Sequence, residues 1–219
     1  MFGLLWHKSK SGKSKKRYET SSTKEEYFDR VNYPRTAVSL LNMVTDNKSV
    51  AENSDLTITF RGVEFGTTLK EARQTLGKPD LHAHRDMEVE GHEILFYSSS
   101  IGSVRVTQCL HFKDDSFFLG QTILRRPSQE QYKAFLEKVL EKYELMPSKG
   151  ASVSDLEAQL PVCDASRNRI EFTQAFHLTI NYISGDPQIA DAFDDVRTQK
   201  QRKRSSARAS FREQVENFI

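Results

Sequence analysis

The feature that most constrains this chain is a run of three strand-like segments, 93–98, 103–112 and 117–126. They are separated only by Ser99-Ser100-Ile101-Gly102 and Lys113-Asp114-Asp115-Ser116. Connections this short and polar cannot cross a sheet, so neighbouring strands must pair antiparallel. In the middle segment Val104, Val106, Leu110 and Phe112 alternate with Arg105, Thr107, Cys109 and His111. Period-two alternation puts the first set on a core face and the second on a face that is wet or covered.

Helices flank this unit. Thr68-Leu69-Lys70-Glu71 reads as a capping box for a helix with Leu69, Ala72 and Leu76 on one side, stopped by Gly77 and Pro79. Ser128-Gln129-Glu130-Gln131 caps a second, whose stripe of Tyr132, Phe135, Leu136, Val139, Leu140 and Tyr143 runs up to Pro147. Earlier, Ser22-Thr23-Lys24-Glu25 caps a short helix. Pro34 suits the first turn of another, with Val38, Leu41 and Val44 on one side. Residues 45–55 read as a linker, and Leu56, Ile58 and Phe60 alternate as a strand.

Further on, Ile170, Phe172, Phe176, Leu178, Ile180 and Tyr182 alternate with Glu171, Thr173, His177, Thr179 and Asn181, predicting one long strand. A helix is predicted after Pro187, with Ile189, Phe193 and Val196 as its apolar stripe. The order predicts an α+β domain: an antiparallel sheet of four to six strands with helices packed on one face, plus helical or disordered basic termini. The expected divisions are 1–55 (basic disordered tail and short helices), 56–185 (core) and 186–219 (basic helical tail).

Charge is segregated along the chain. Residues 1–17 hold six basic residues and no acid, and 197–219 hold seven against two. That leaves 19 basic and 28 acidic residues, a net of −9, in 18–196. Between Val196 and Phe211 only Ala207 and Ala209 are apolar, so this stretch cannot be buried.

Residues 66–119 resemble the small outer-membrane lipoproteins of the β-barrel assembly machinery and, more loosely, the β-lactamase-inhibitor-like fold. The shared features are Gly66-Thr67-Thr68 leading a short helix, Leu76-Gly77-Lys78-Pro79 closing it, Tyr97, and Phe112 with Asp114-Asp115 at a hairpin. The resemblance implies a small binding or scaffolding module on an antiparallel sheet. This chain departs from those lipoproteins in lacking their signal with its acylated cysteine.

Catalytic chemistry finds little support. His82, His84, His92 and His111 are the natural metal-ligand candidates, but His82 and His84 fall in a polar stretch after Pro79, where solvated rings are common. Cys109 and His111 share a strand face, yet residues two apart lie roughly 6.5–7 Å from each other, too far for a nucleophile and base. Glu88, Glu90, Glu93, Asp114 and Asp115 have polar neighbours and read as a solvated rim. Gly62 and Gly66 match no nucleotide fingerprint. No enzyme activity, metal or cofactor is expected.

The expected function is therefore binding: an adaptor or scaffold whose acidic core meets a protein partner while its basic ends supply a second attachment. Phe2, Leu4, Leu5 and Trp6 beside Lys8, Lys10, Lys13, Lys15, Lys16 and Arg17 form the combination that holds a protein to an anionic membrane surface. Arg197, Lys200, Arg202, Lys203, Arg204 and Arg208 form the other basic contact, for a partner or, alternatively, a nucleic acid. A second copy of the chain is a further candidate partner. Two cysteines, Cys109 and Cys163, make no disulfide framework, and the apolar start precedes its positive charges, the reverse of a secretory signal. A cytoplasmic location follows, peripheral at the inner membrane face.

Overall fold

The computed structural model describes residues 24–31, 33–45, 52–85, 89–145 and 150–218. The predicted membrane contacts, Phe2 to Arg17, lie outside them, as does the disorder expected over 7–24 except at Lys24, which opens a helix.

The chain runs α1 (Lys24–Asp29), α2 (Ala37–Thr45), β1 (Glu52–Asn53), α3 (Leu69–Leu76), β2 (Leu81–His84), β3 (His92–Ile101), β4 (Val104–Lys113) and β5 (Ser116–Arg125). It continues with α4 (Gln129–Lys142), α5 (Val153–Glu157), β6 (Val162–Cys163), β7 (Arg169–Gln174), β8 (His177–Ile183) and α6 (Pro187–Phe218). The strands form one eight-stranded sheet in the order β1-β6-β7-β8-β5-β4-β3-β2.

The fold is α+β, but the expected four-to-six-stranded antiparallel sheet is wrong on two counts. The sheet has eight strands, and it is mixed, because β1 pairs parallel with β6 through Glu52↔Val162 and Asn53↔Cys163. These two-residue strands are too short to leave a periodic signal. The predicted strand 170–182 is in fact the β7–β8 hairpin, turning at Ala175 and Phe176, with Thr173 opposite Thr179 and Gln174 opposite Leu178. Paired residues in this hairpin have equal parity, so the alternation runs through the turn unbroken. Its length was the warning, since 13 extended residues span about 43 Å, twice a usual strand.

Helices cover both faces rather than one. On the first, α4 and α5 pack Tyr132, Leu136, Val139, Leu140 and Leu156 onto Val104, Val106, Leu124, Leu178 and Ile180. There too α3 sets Ala72 against Leu95, Leu110 and Phe112. Capping boxes form at Thr68 and Ser128 as predicted. On the second face α1 and the turn after it bury Phe28 and Tyr33 on Ile94, Phe96, Cys109 and Ile123. Beside them Ala37, Leu40 and Leu41 of α2 meet Ile189 and Phe193 of α6 over Phe118, Leu119 and Ile183. Of the predicted α2 face, Leu41 is buried and Val44 partly buried, but Val38 is half exposed and Ala37 and Leu40 complete the buried side instead.

The predicted strand at 56–60 is absent. Leu56 is exposed, while Ile58 and Phe60 are buried beside a tight turn in which Phe60 bridges Val63 across Arg61 and Gly62. Both turn residues have positive φ, 55° and 82°, which favours glycine at the second. The polar stretch after Pro79 forms β2, paired with β3 from Leu81↔Phe96 to His84↔Glu93.

Candidate functional site

The sheet's second face has a basic end. Val106 lies opposite Leu124, so Arg105 and Arg125 fall opposite each other one step further, and Arg125 lies opposite His177 on β8. Three cationic or titratable side chains thus cross three adjacent strands in one row. Tyr27, Arg30 and Val31, from α1 and its following turn, close over Arg105, Thr107, Ile123, Arg125 and His177 to form a cleft of about 240 Å³. Among the described residues no carboxylate meets Arg30, Arg105 or Arg125. Like charges directly opposite across a strand pair destabilise it. Burial, helped by Arg125 and Arg126, holds the His177 ring below its usual pKa, opposed by the Phe176 backbone.

A second basic feature begins where α6 leaves the sheet. Ile189 and Phe193 are buried and Val196 is partly so, after which residues 199–208 are exposed throughout. At 100° per residue, Arg197, Lys200, Arg204, Arg208, Phe211 and Val215 form one stripe, with Arg212 at its margin, Lys203 about a quarter-turn away and Arg202 on the opposite side. Phe211 and Val215 are exposed on it, at 69% and 37%. Arg197 is paired with Asp194 one turn earlier. Between the helices Arg197, Lys200, Gln201 and Arg204 face Thr36, Ala37 and Val38 across a groove of about 310 Å³. This groove opens at the N-terminus of α2, where the helix dipole adds positive potential.

Four of the six predicted C-terminal contacts, Arg197, Lys200, Arg204 and Arg208, share one line, and Arg202 and Lys203 do not. The sequence reading missed the cleft entirely. Its signal was the predicted hairpin over 113–116, which already places Arg105 close to Arg125.

The four candidate histidines divide between the two faces. His92 and His111 are fully buried on the second face with His92 Nε2 and His111 Nδ1 3.0 Å apart. Burial, reinforced by His92, pushes the His111 pKa well below 6.5, while Gln121 acts in the opposite direction. Gln121 Nε2 in turn donates to Asn181 Oδ1 at 2.8 Å. This is a buried polar chain closed to solvent, and the ring pair within it belongs to the core. His82 and His84 lie on the first face, at the sheet edge, beside Glu93. Burial drives the Cys109 thiol strongly upward, so it offers no nucleophile. Asp115 Oδ1 accepts the Leu69 amide at 2.8 Å, which makes this predicted rim carboxylate a support for the start of α3.

Among the described residues no helix is long and apolar enough to cross a membrane. No family model matches the chain, and neither the curated proteins nor the solved structures supply a match. The resemblance over 66–119 rests on its own residues alone.

Proposed function

We propose that the protein is a non-enzymatic adaptor that grips an acidic protein partner with the basic face of α6 and the adjoining α2 groove. The observation carrying this reading is the α6 stripe, where cations and exposed apolar side chains share one line over residues 197–215. At 1.5 Å per residue that line is about 27 Å long. A helix that is polar nearly all round gains little from its own core and is suited to contact something else. Phe211 and Val215 among the arginines suit a groove with a carboxylate rim and an apolar floor. The cleft at Arg30, Arg105 and Arg125 places further uncompensated positive charge on the face from which α6 departs.

A nucleic acid is the second reading, favoured by the arginine content of the same stripe. A fluorescent peptide alternating Asp/Glu with Leu, compared with single-stranded RNA and duplex DNA of equal charge, separates the two. The adaptor reading predicts saturable peptide binding, at least about tenfold weaker in Arg204→Gln/Arg208→Gln/Arg212→Gln and weakened again by Phe211→Ala. Tighter binding of nucleic acid, indifferent to Phe211→Ala and steep in salt, selects the second reading. Binding of neither probe rejects both.

A further inference from the structure

We infer that His82, His84 and Glu93 form a binding site for one divalent cation of the zinc class at the β2 edge of the sheet. His82 and His84 are two residues apart on β2, so both rings project from the same side of the strand. The register sets Glu93 of β3 directly opposite His84 and diagonal to His82. One carboxylate oxygen, Glu93 Oε2, is 2.7 Å from His82 Nε2 and 3.2 Å from His84 Nδ1. The ring centroids are 4.4 Å apart. One donor atom from each of the three residues falls within 4.8 Å of the others.

Ligand bonds of about 2.0–2.1 Å in tetrahedral geometry require donors about 3.3 Å apart. The His84–Glu93 separation already meets that figure, and the His82–Glu93 pair must open by about 0.6 Å. His84 can follow such a shift, because its side chain is 60% exposed while His82 and Glu93 are about one quarter exposed. Two imidazoles and one carboxylate are the donors of a borderline cation; calcium and magnesium take oxygen shells. Three protein ligands leave one position open to solvent. The site is independent of the α6 stripe, so it stands or falls apart from the adaptor reading.

The test uses the full chain, stripped with chelator and titrated with Zn²⁺ by calorimetry, then with Co²⁺, whose visible absorption reports four-coordination. One equivalent is expected to bind with a four-coordinate cobalt spectrum. His84→Ala and Glu93→Gln should each lower the affinity at least about tenfold. His84 is exposed, so its variant is expected to keep the unliganded melting temperature, and zinc should raise that temperature in the native chain alone. Absence of one-equivalent binding, or equal affinity in the native chain and both variants, overturns the proposal. So does a six-coordinate cobalt spectrum.

Discussion

Asp164 is the buried residue whose removal should cost most for its size. Its carboxylate accepts the amides of Ile58, Ser166 and Asn168 at 2.8–2.9 Å and the Asn168 side chain at 2.9 Å. It thereby holds the 164–168 turn to the chain at Ile58. Asp164→Ala strands several donors in a buried setting and should lower stability by on the order of 3 kcal/mol. Urea denaturation measures this, and a loss under about 1 kcal/mol would count against the account. A second residue-scale effect is pH dependence. His111 is held neutral in the fold and regains an ordinary pKa near 6.5 when unfolded, so the unfolded state binds more protons at acid pH. Its contribution is complete above that value and is lost as pH falls toward the depressed folded pKa, by up to about 1.4 kcal/mol per pH unit for one ring. Denaturation midpoints between pH 7.5 and 5 should drop, with a shallower slope in His111→Asn.

Legibility in the sequence differed from element to element. The three central strands and α3, α4 and α6 were readable because each combines a period with a stop signal: a polar hairpin, a capping box or a proline. The β7–β8 turn was hidden by its parity, and β1 and β6 by their length. The cover on the second face was hidden because the short patterns of α1 and α2 do not say which side of the sheet they lie on. Gly120 illustrates a contact that composition cannot reveal. A Cβ there would come within 2.5 Å of the Phe60 ring, so this β5 glycine exists to admit an aromatic from a distant turn. Gly120→Ala should cost about 1–3 kcal/mol by overpacking, and Phe60→Leu in the same chain should recover part of it. Additive losses in the double variant would contradict this contact. As for the sites, the basic run in α6 was legible as composition and its single stripe followed once the helix was continuous. The predicted hairpin over 113–116 pairs Arg105 with Arg125, but placing His177 beside them, and Glu93 beside His82 and His84, depends on cross-strand register that no local pattern carries.

For the whole molecule the organising fact is where charge lies. Residues 18–196 carry a net of −9, yet the end of the second face holds a cleft with three arginines, and α6 projects seven cations from Arg197 to Arg212. The acidic core is therefore not uniformly acidic, and its basic part adjoins the basic helix. Neutralising the α6 stripe should leave the unfolding free energy measured in urea within about 0.5 kcal/mol of the native chain, because exposed charges contribute little to stability. On the proposed reading, the exposed part of α6 from residue 199 onward becomes covered only when a partner binds. Hydrogen–deuterium exchange along α6 is the decisive measurement. In the free chain, amides of 187–196 should be protected and those of 199–212 should exchange rapidly, with protection of 199–212 appearing only when the acidic peptide is added. Uniform protection of the whole helix without peptide would mean that this segment already rests on the core, and would contradict the reading.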